Sequence, residues 1–377
     1  MKGGLILVLA ALTIWLAVIG CAMFPADAPT TKTAAALDID PAHPLSPADL
    51  SGLPFRGMVL QVQRIDSPDV YYKAVDDIAA LGADTIEMVV DSRQENGSSS
   101  MIFIDLRQSP TLDKLIALIQ YAKSKHLRVV LMPIVLLQKP EGTQWRGVID
   151  PKRNGNESNW DEWFESYREM VEHYAQAAAQ GHADVFLVGS ELVSSERFRD
   201  EWVRTIHAVR KIYPGLLAYS ANWDHYVSIP FWDQLDLICT NSYWKLGENR
   251  DASVEEIVGN WKKIQKDLLP WIRSQHKPYM FTEVGWCSVA NAAHEPWDYT
   301  KEGEALDLDL QKRLYQGFFE AWKNVPELGG YNIWQWTPYG GGPADRGYTP
   351  AGKPAEEVLR QALAQPRWKV TIDLRKK

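Results

Sequence analysis

The sequence predicts a (β/α)8 TIM barrel, an α/β fold in a single domain. Three observations predict it. From residue 55 onward, short apolar runs alternate strictly with amphipathic helical segments, which implies a parallel sheet. The runs are apolar along nearly their whole length, as in strands buried on both faces. Eight such units follow one another, the number that closes into a barrel. An open doubly wound sheet is the competing arrangement. It usually carries a glycine-rich phosphate turn after an early strand, and this chain has none.

The first strand is FRGMVLQV (55–62). A helix follows (67–82), started by Ser67 and with Pro68 in its first turn. DTIEMVV (84–90) is the second strand, trailed by a polar loop and an amphipathic helix (111–126). LRVVLMPIVLL (127–137) is the third, followed by a long loop (138–158) and a helix (159–181) ended by Gly181. The fourth is ADVFLVGSE (183–191), with its helix at 196–215. LLAYSANW (216–223) is the fifth, with only a short helical piece at 230–235. DLICTNSYW (236–244), PYMFTEVGW (278–286) and GGYNIWQWTP (329–338) are the sixth to eighth. Their helices are expected at 253–275, 304–325 and 353–365.

Outside the barrel the chain changes character. Met1-Lys2 and the apolar run from Leu5 to Ile19 lead to Gly20-Cys21. This resembles a bacterial lipoprotein signal with Cys21 as the lipidated residue. A plain signal peptide and an uncleaved membrane anchor share its first two parts. All three place the domain outside the cytoplasm, secreted or held at a membrane. Residues 22–54, rich in Pro, Ala, Thr and Asp, read as a tether. Residues 366–377 form a basic tail. Cys239 and Cys287 are expected to be free and buried.

Hydrophobic residues make up 46% of the 377 and charged residues 23%, an ordinary globular balance. A net charge of −8 argues against a nucleic-acid partner. The eight His residues show no metal-binding spacing, and no G-x-S-x-G elbow or P-loop is present. No metal or organic cofactor and no protein partner is implied.

Two carboxylates stand out. Glu191 ends the fourth strand and Glu283 the seventh, and catalytic groups of such barrels sit at the carboxyl ends of strands. The plain alternative is a pair of salt-bridged structural acids. Glycosidic bond cleavage needs a proton for the leaving oxygen and an electron-rich group for the anomeric carbon, which two carboxyls of different pKa supply. Other acids are less well placed. Glu87 lies inside its strand, Asp236 begins one, and Asp91 and Asp224 fall on top loops where they are open to sugar hydroxyls. Of 16 Trp, seven (Trp145, Trp223, Trp244, Trp286, Trp297, Trp334, Trp336) fall at strand ends or on the following loops. Flat rings there suit sugar faces. Trp163, Trp202, Trp261 and Trp322, at helical spacing, are expected in the core.

Gly189-Ser190-Glu191-Leu192, Phe281-Thr282-Glu283-Val284-Gly285-Trp286, Trp334-Gln335-Trp336-Thr337-Pro338 and Tyr348-Thr349-Pro350-Ala351-Gly352-Lys353-Pro354-Ala355 together resemble glycoside hydrolase family 113, over roughly residues 55–365. The resemblance implies a retaining double displacement with Glu191 as acid/base and Glu283 as nucleophile. It also implies β-1,4-mannan or a related β-linked saccharide as substrate. Most members of the wider clan carry Asn before the acid/base. Ser190 stands there in this chain, as is usual in the family, so Asn222 is the candidate for the sugar 2-hydroxyl. Tyr243 resembles the clan's tyrosine near the nucleophile, and Trp336 the aromatic floor under the reacting sugar. Trp244 and Trp286 complete the expected substrate-binding set. A retaining pair is expected roughly 5 to 5.5 Å apart. Two alternatives remain at this stage: the same fold acting on another β-linked cell-surface polysaccharide, and a glycan-binding lipoprotein without catalysis.

Overall fold

Eight parallel strands pair in chain order and the last returns to the first, so the sheet closes. They are β1 Phe55–Gln61, β2 Thr85–Gln94, β3 Arg128–Leu137, β4 Val185–Ser190, β5 Leu216–Ala221, β6 Ile238–Asn241, β7 Tyr279–Val284 and β8 Leu328–Ile333. The computed structural model describes residues 50–63, 68–300 and 303–371. The signal-like run, Cys21 and most of the tether lie outside the described residues.

Among the described residues seven helices cover the barrel: α1 Pro68–Leu81, α2 Leu112–Ser124, α3 Trp160–Gly181, α4 Arg199–Ile212, α5 Val254–Gln275, α6 Leu308–Trp322 and α7 Pro354–Leu363. After β5 the helical layer is reduced to two single turns, Tyr226–Ser228 and Trp232–Gln234. Helix starts follow their capping chemistry. Ser253 Oγ accepts from the Glu256 amide at 3.2 Å, and Asp307 Oδ1 from the Leu310 amide at 2.9 Å.

Strand alternation sorts the core into two layers. Phe55, Val59, Val89, Val130, Met132, Leu187, Ala218, Cys239 and Met280 fill the barrel. Residues of opposite parity face the helices, where Trp163, Trp202, Trp261 and Trp322 are fully buried, as their helical spacing predicts. Cys239 and Cys287 are free and buried.

Two expectations need correction. β2 runs on to Gln94, so Asp91 is not on a top loop. It is fully buried in the strand and paired with Arg93 at 2.7 Å. The C-terminal segment is also more than a tail as far as residue 371. The Trp368 ring stacks on Tyr331 at 6.2 Å, its indole nitrogen donates to Leu328 O at 2.8 Å, and the Thr371 amide donates to Pro326 O at 2.8 Å.

Candidate active site

Strand β4 ends at Ser190, and the chain turns sharply at Glu191, whose φ is +55°. A left-handed conformation at a non-glycine residue is uncommon and persists only where its surroundings impose it. Here the Glu191 amide donates to Ser220 O at 2.9 Å and the Leu192 amide to the Tyr219 hydroxyl at 2.9 Å. Tyr219 in turn donates to Glu196 Oε1 at 2.7 Å. Burial pushes the Glu196 carboxyl up to about 7, against that hydrogen bond. The turn that presents Glu191 is therefore fixed from β5.

The Glu191 carboxylate, mostly buried, has two partners. Arg146 Nη2 donates to Oε2 at 2.6 Å, and Asn241 Nδ2 donates to Oε1. Asn241, the last residue of β6, also donates to Asn222 Oδ1 at 3.0 Å and accepts from the Trp223 amide at 2.8 Å. Asn222 follows β5 directly, and its Nδ2 donates to Asp224 Oδ1 at 2.9 Å. Asp224 is exposed and is paired with His225 at 2.6 Å.

Glu283 lies inside the end of β7 and is 3% exposed. The Tyr243 hydroxyl donates to its Oε2 at 2.6 Å, whereas Oε1 has no hydrogen-bond partner. Burial, and then the negative charge of Glu191, push the Glu283 carboxyl up to about 8; Tyr243 and the Arg146 guanidinium pull the other way. The two carboxyls thus feel each other's charge while standing in unlike surroundings. Past Glu283 the backbone is pressed against β8: a Cβ at Gly285 would fall 1.9 Å from Trp334 O. Only glycine allows that approach.

A third carboxyl lies lower in the barrel. Glu87 of β2 is fully buried, accepts from Asn332 Nδ2 at Oε2, and leaves Oε1 without a partner. Burial raises its pKa well above the ordinary carboxylate range, and the charge of Glu283 adds to the rise.

Glu191, Glu283, Asn222 and Tyr243 thus come together as one constellation. Trp244 is half-buried, edge-on to Trp223 at 5.8 Å and to Trp261 at 6.0 Å, and Trp223 stacks on Trp297 at 6.1 Å. Trp145, on the loop after β3, and Trp297 are both partly exposed. Trp286, expected at the substrate, is fully buried with its ring edge-on to Tyr315 of α6 at 5.1 Å, so its ring packs toward the helical layer. Trp336 is also buried, its amide donating to Val59 O at 2.8 Å. Trp334, just past β8, is the partly exposed ring that packs on the barrel interior. Arg146 and Asn241 carried no sequence signal: one sits in a long loop, and the other ends a strand whose neighbours are equally polar.

The family model for glycoside hydrolase family 113 matches residues 69–353. Among solved structures, one titled as a complex of a GH113 β-1,4-mannanase is similar at 27% identity and a TM-score of 0.73, covering 83% of this chain and 100% of that one. A second, the GH113 β-mannanase AaManA from Alicyclobacillus acidocaldarius in complex with ManMIm, is 28% identical with a TM-score of 0.71, covering 83% of this chain and 98% of that one. A Faecalibacterium prausnitzii β-glucuronidase shares the fold alone, at 15% identity and a TM-score of 0.56 over 84% of this chain and 50% of that one. No curated protein matches.

Proposed function

The chain belongs to glycoside hydrolase family 113, and from that premise we propose that it is a retaining β-1,4-mannanase with Glu283 as nucleophile and Glu191 as acid/base. It is a glycoside hydrolase, and its substrate is an oligo- or polysaccharide. The observation that carries the finer assignment is the asymmetry of Glu283. One oxygen is held by Tyr243 at 2.6 Å, and the other is buried with no partner, free to meet an anomeric carbon.

In the first step the free Glu283 oxygen attacks the anomeric carbon, and Glu191, carrying a proton, gives it to the departing glycosidic oxygen. The Tyr243 hydroxyl fixes the other Glu283 oxygen and so sets the angle of attack. In the second step Glu191, now ionised, takes a proton from water, which attacks the same carbon and releases Glu283. Configuration is retained because the carbon is displaced twice. Asn222, tied to Glu191 through Asn241, is suited to the sugar 2-hydroxyl. Trp334, with the Trp223, Trp244 and Trp297 group, offers flat faces to the rings. The signal-like start and Cys21 support a further proposal, that the enzyme works outside the cytoplasm, anchored at a membrane or secreted.

The test is cleavage of mannohexaose with the anomeric form of the first product read by NMR, beside Glu283→Ala. Initial β-product, absent in the variant, is expected. Initial α-product would exclude retention, and cleavage of another β-linked glycan alone would move the assignment to that sugar.

A further inference from the structure

The acid/base carboxylate would meet the leaving sugar, and the group beside it is Arg146. Its position is built. Arg146 opens a short turn, Arg146–Val148, in the long loop after β3. On one side of that turn, Gln144 Oε1 accepts from the Gly97 amide at 3.0 Å. On the other, the Asp150 amide donates to Gly97 O at 2.7 Å and the Lys152 amide to Ser98 O at 2.9 Å. Ile149 is buried in the core. The Trp145 ring folds over Gly147, where a Cβ would fall 2.3 Å from it. The loop is therefore pinned to the β2 side of the barrel at both flanks, and Arg146 is held without needing substrate to order it.

Its guanidinium is half used. Nη2 donates to Glu191 Oε2 at 2.6 Å, but Nε is buried and has no acceptor. Nε–H and the neighbouring Nη2–H point side by side along one edge of the planar fork. A buried donor with no acceptor costs about 1–3 kcal/mol, so such groups are normally satisfied. An acceptor on Nε lies next to Glu191 Oε2. If Glu191 protonates the leaving oxygen, the nearest oxygen available from a saccharide is a hydroxyl on a carbon adjacent to the one that bears the leaving oxygen.

We propose that Arg146 is a specificity-determining residue of the leaving-group side, its buried Nε–H reserved for a hydroxyl of the sugar that departs. The inference rests on Glu191 being the acid/base. It assigns this enzyme a preference for saccharide over non-saccharide leaving groups, written in one side chain.

The experiment compares kcat/KM for mannohexaose, whose leaving group is a sugar, with that for 2,4-dinitrophenyl β-mannobioside, whose leaving group has no hydroxyl and departs without a proton. Arg146→Lys keeps the charge and loses the fork; Arg146→Ala loses both. The ratio of the two values should fall roughly ten- to a hundredfold in both variants, mainly through KM for mannohexaose. A ratio unchanged from the parent, or one that falls through kcat with KM for mannohexaose unchanged, would overturn the proposal: a purely structural role lowers both substrates together, and a counter-ion role on Glu191 weakens only the protonation that mannohexaose needs. Glu191→Ala with azide tests the underlying assignment separately. Formation of a β-glycosyl azide from the aryl substrate marks loss of an acid/base, and neither Arg146 variant should form it. No azide product from Glu191→Ala would sink the acid/base assignment itself. Should the parent cleave neither substrate, the mannan assignment falls, and the same comparison is run with the β-linked glycan it does cleave and that glycan's aryl glycoside.

Discussion

The two ends of the barrel differ in how they hold a carboxylate, and the difference is sharpest at Glu283. At the amino ends of the strands an aspartate precedes each of β2, β4 and β6, and each is paired with a cation and with a backbone amide of the preceding strand. Asp84 accepts from the Arg56 amide at 2.9 Å, Arg56 Nε at 3.0 Å, Arg128 Nη1 at 3.1 Å and Thr85 Oγ1 at 2.8 Å. Asp184 accepts from the Val129 amide at 2.8 Å and Lys123 at 2.6 Å. Asp236 accepts from the Leu217 amide at 2.7 Å and from Arg210. Each ties the start of its own strand to the start of the one before. At the carboxyl ends, Glu283 is buried with one oxygen unpartnered and with Glu191 as a like-charged neighbour. One end spends its acids on closing the barrel, and the other holds an acid in an environment that disfavours its charge. That division is the one the fold favours, with stability at the bottom and chemistry at the top.

The largest effect should separate the two ends completely. Glu283→Ala is expected to lower kcat on mannohexaose by roughly 10⁴-fold or more. Thermal unfolding at pH 8 should show little loss of stability, since removing a buried carboxyl that resists ionisation offsets the Tyr243 hydroxyl left without its acceptor. A variant that unfolds more easily would mean that Glu283 belongs with the structural acids.

Next in size is the pH dependence of stability. The Glu283 carboxyl, raised from its ordinary 4.5 to about 8, keeps its proton in the folded state over a range where the unfolded chain has lost it. The stabilisation this gives is fully present below about 4.5 and is lost as pH rises through about 8. Urea midpoints should therefore fall between pH 5 and pH 8, by a few kcal/mol at most in free energy, and Glu283→Gln should flatten that slope. For activity the sign is reversed. As the proposed nucleophile, Glu283 has to be ionised to attack, so kcat/KM should climb over the same interval, and Arg146→Ala should carry the climb to higher pH by removing a charge that favours the ionised form.

At the opposite end, Asp84→Ala should cost roughly 3 kcal/mol in urea unfolding, because it leaves the Arg56 amide and two guanidinium groups short of an acceptor. The kcat of the folded fraction should hold. A loss of kcat without a loss of stability would break the division of labour between the two ends.

Much of this contrast is visible in the sequence, but unevenly. The eight strands are legible because buried parallel strands must be apolar, and Glu191 and Glu283 because a carboxylate that closes such a run is rare. Asp236 reads correctly as lying at the wrong end for catalysis. Asp91 does not read correctly, because the apolar run stops at Val90 while the hydrogen-bonded ladder continues to Gln94. Trp286 and Trp336 show the limit of counting rings at strand ends. Sequence position places a ring near the mouth of the barrel, but whether it faces the groove or α6 is decided by packing. Arg146 is illegible for a different reason: its partner is 45 residues away, and the loop that carries it has no period.

Glu87 sits between the two ends and should give the smallest effect of all. It shares the orphaned oxygen of Glu283 and the full burial of a structural group. Its partner Asn332 also has an unpartnered oxygen, Oδ1. One proton on Glu87 would serve both orphans, and burial favours that neutral form. Glu87→Gln replaces the acid hydroxyl with an amide N–H2 of nearly the same shape, keeping an oxygen for Asn332 Nδ2 and gaining a donor for Asn332 Oδ1. Stability should change by less than about 1 kcal/mol, and the pH at which activity rises should stay where it is. If Glu87 were instead ionised beneath Glu283, removing its charge would let Glu283 ionise more easily, and the rise would move to lower pH. A shift of that kind in Glu87→Gln would make Glu87 part of the charged apparatus at the mouth and not a neutral floor beneath it.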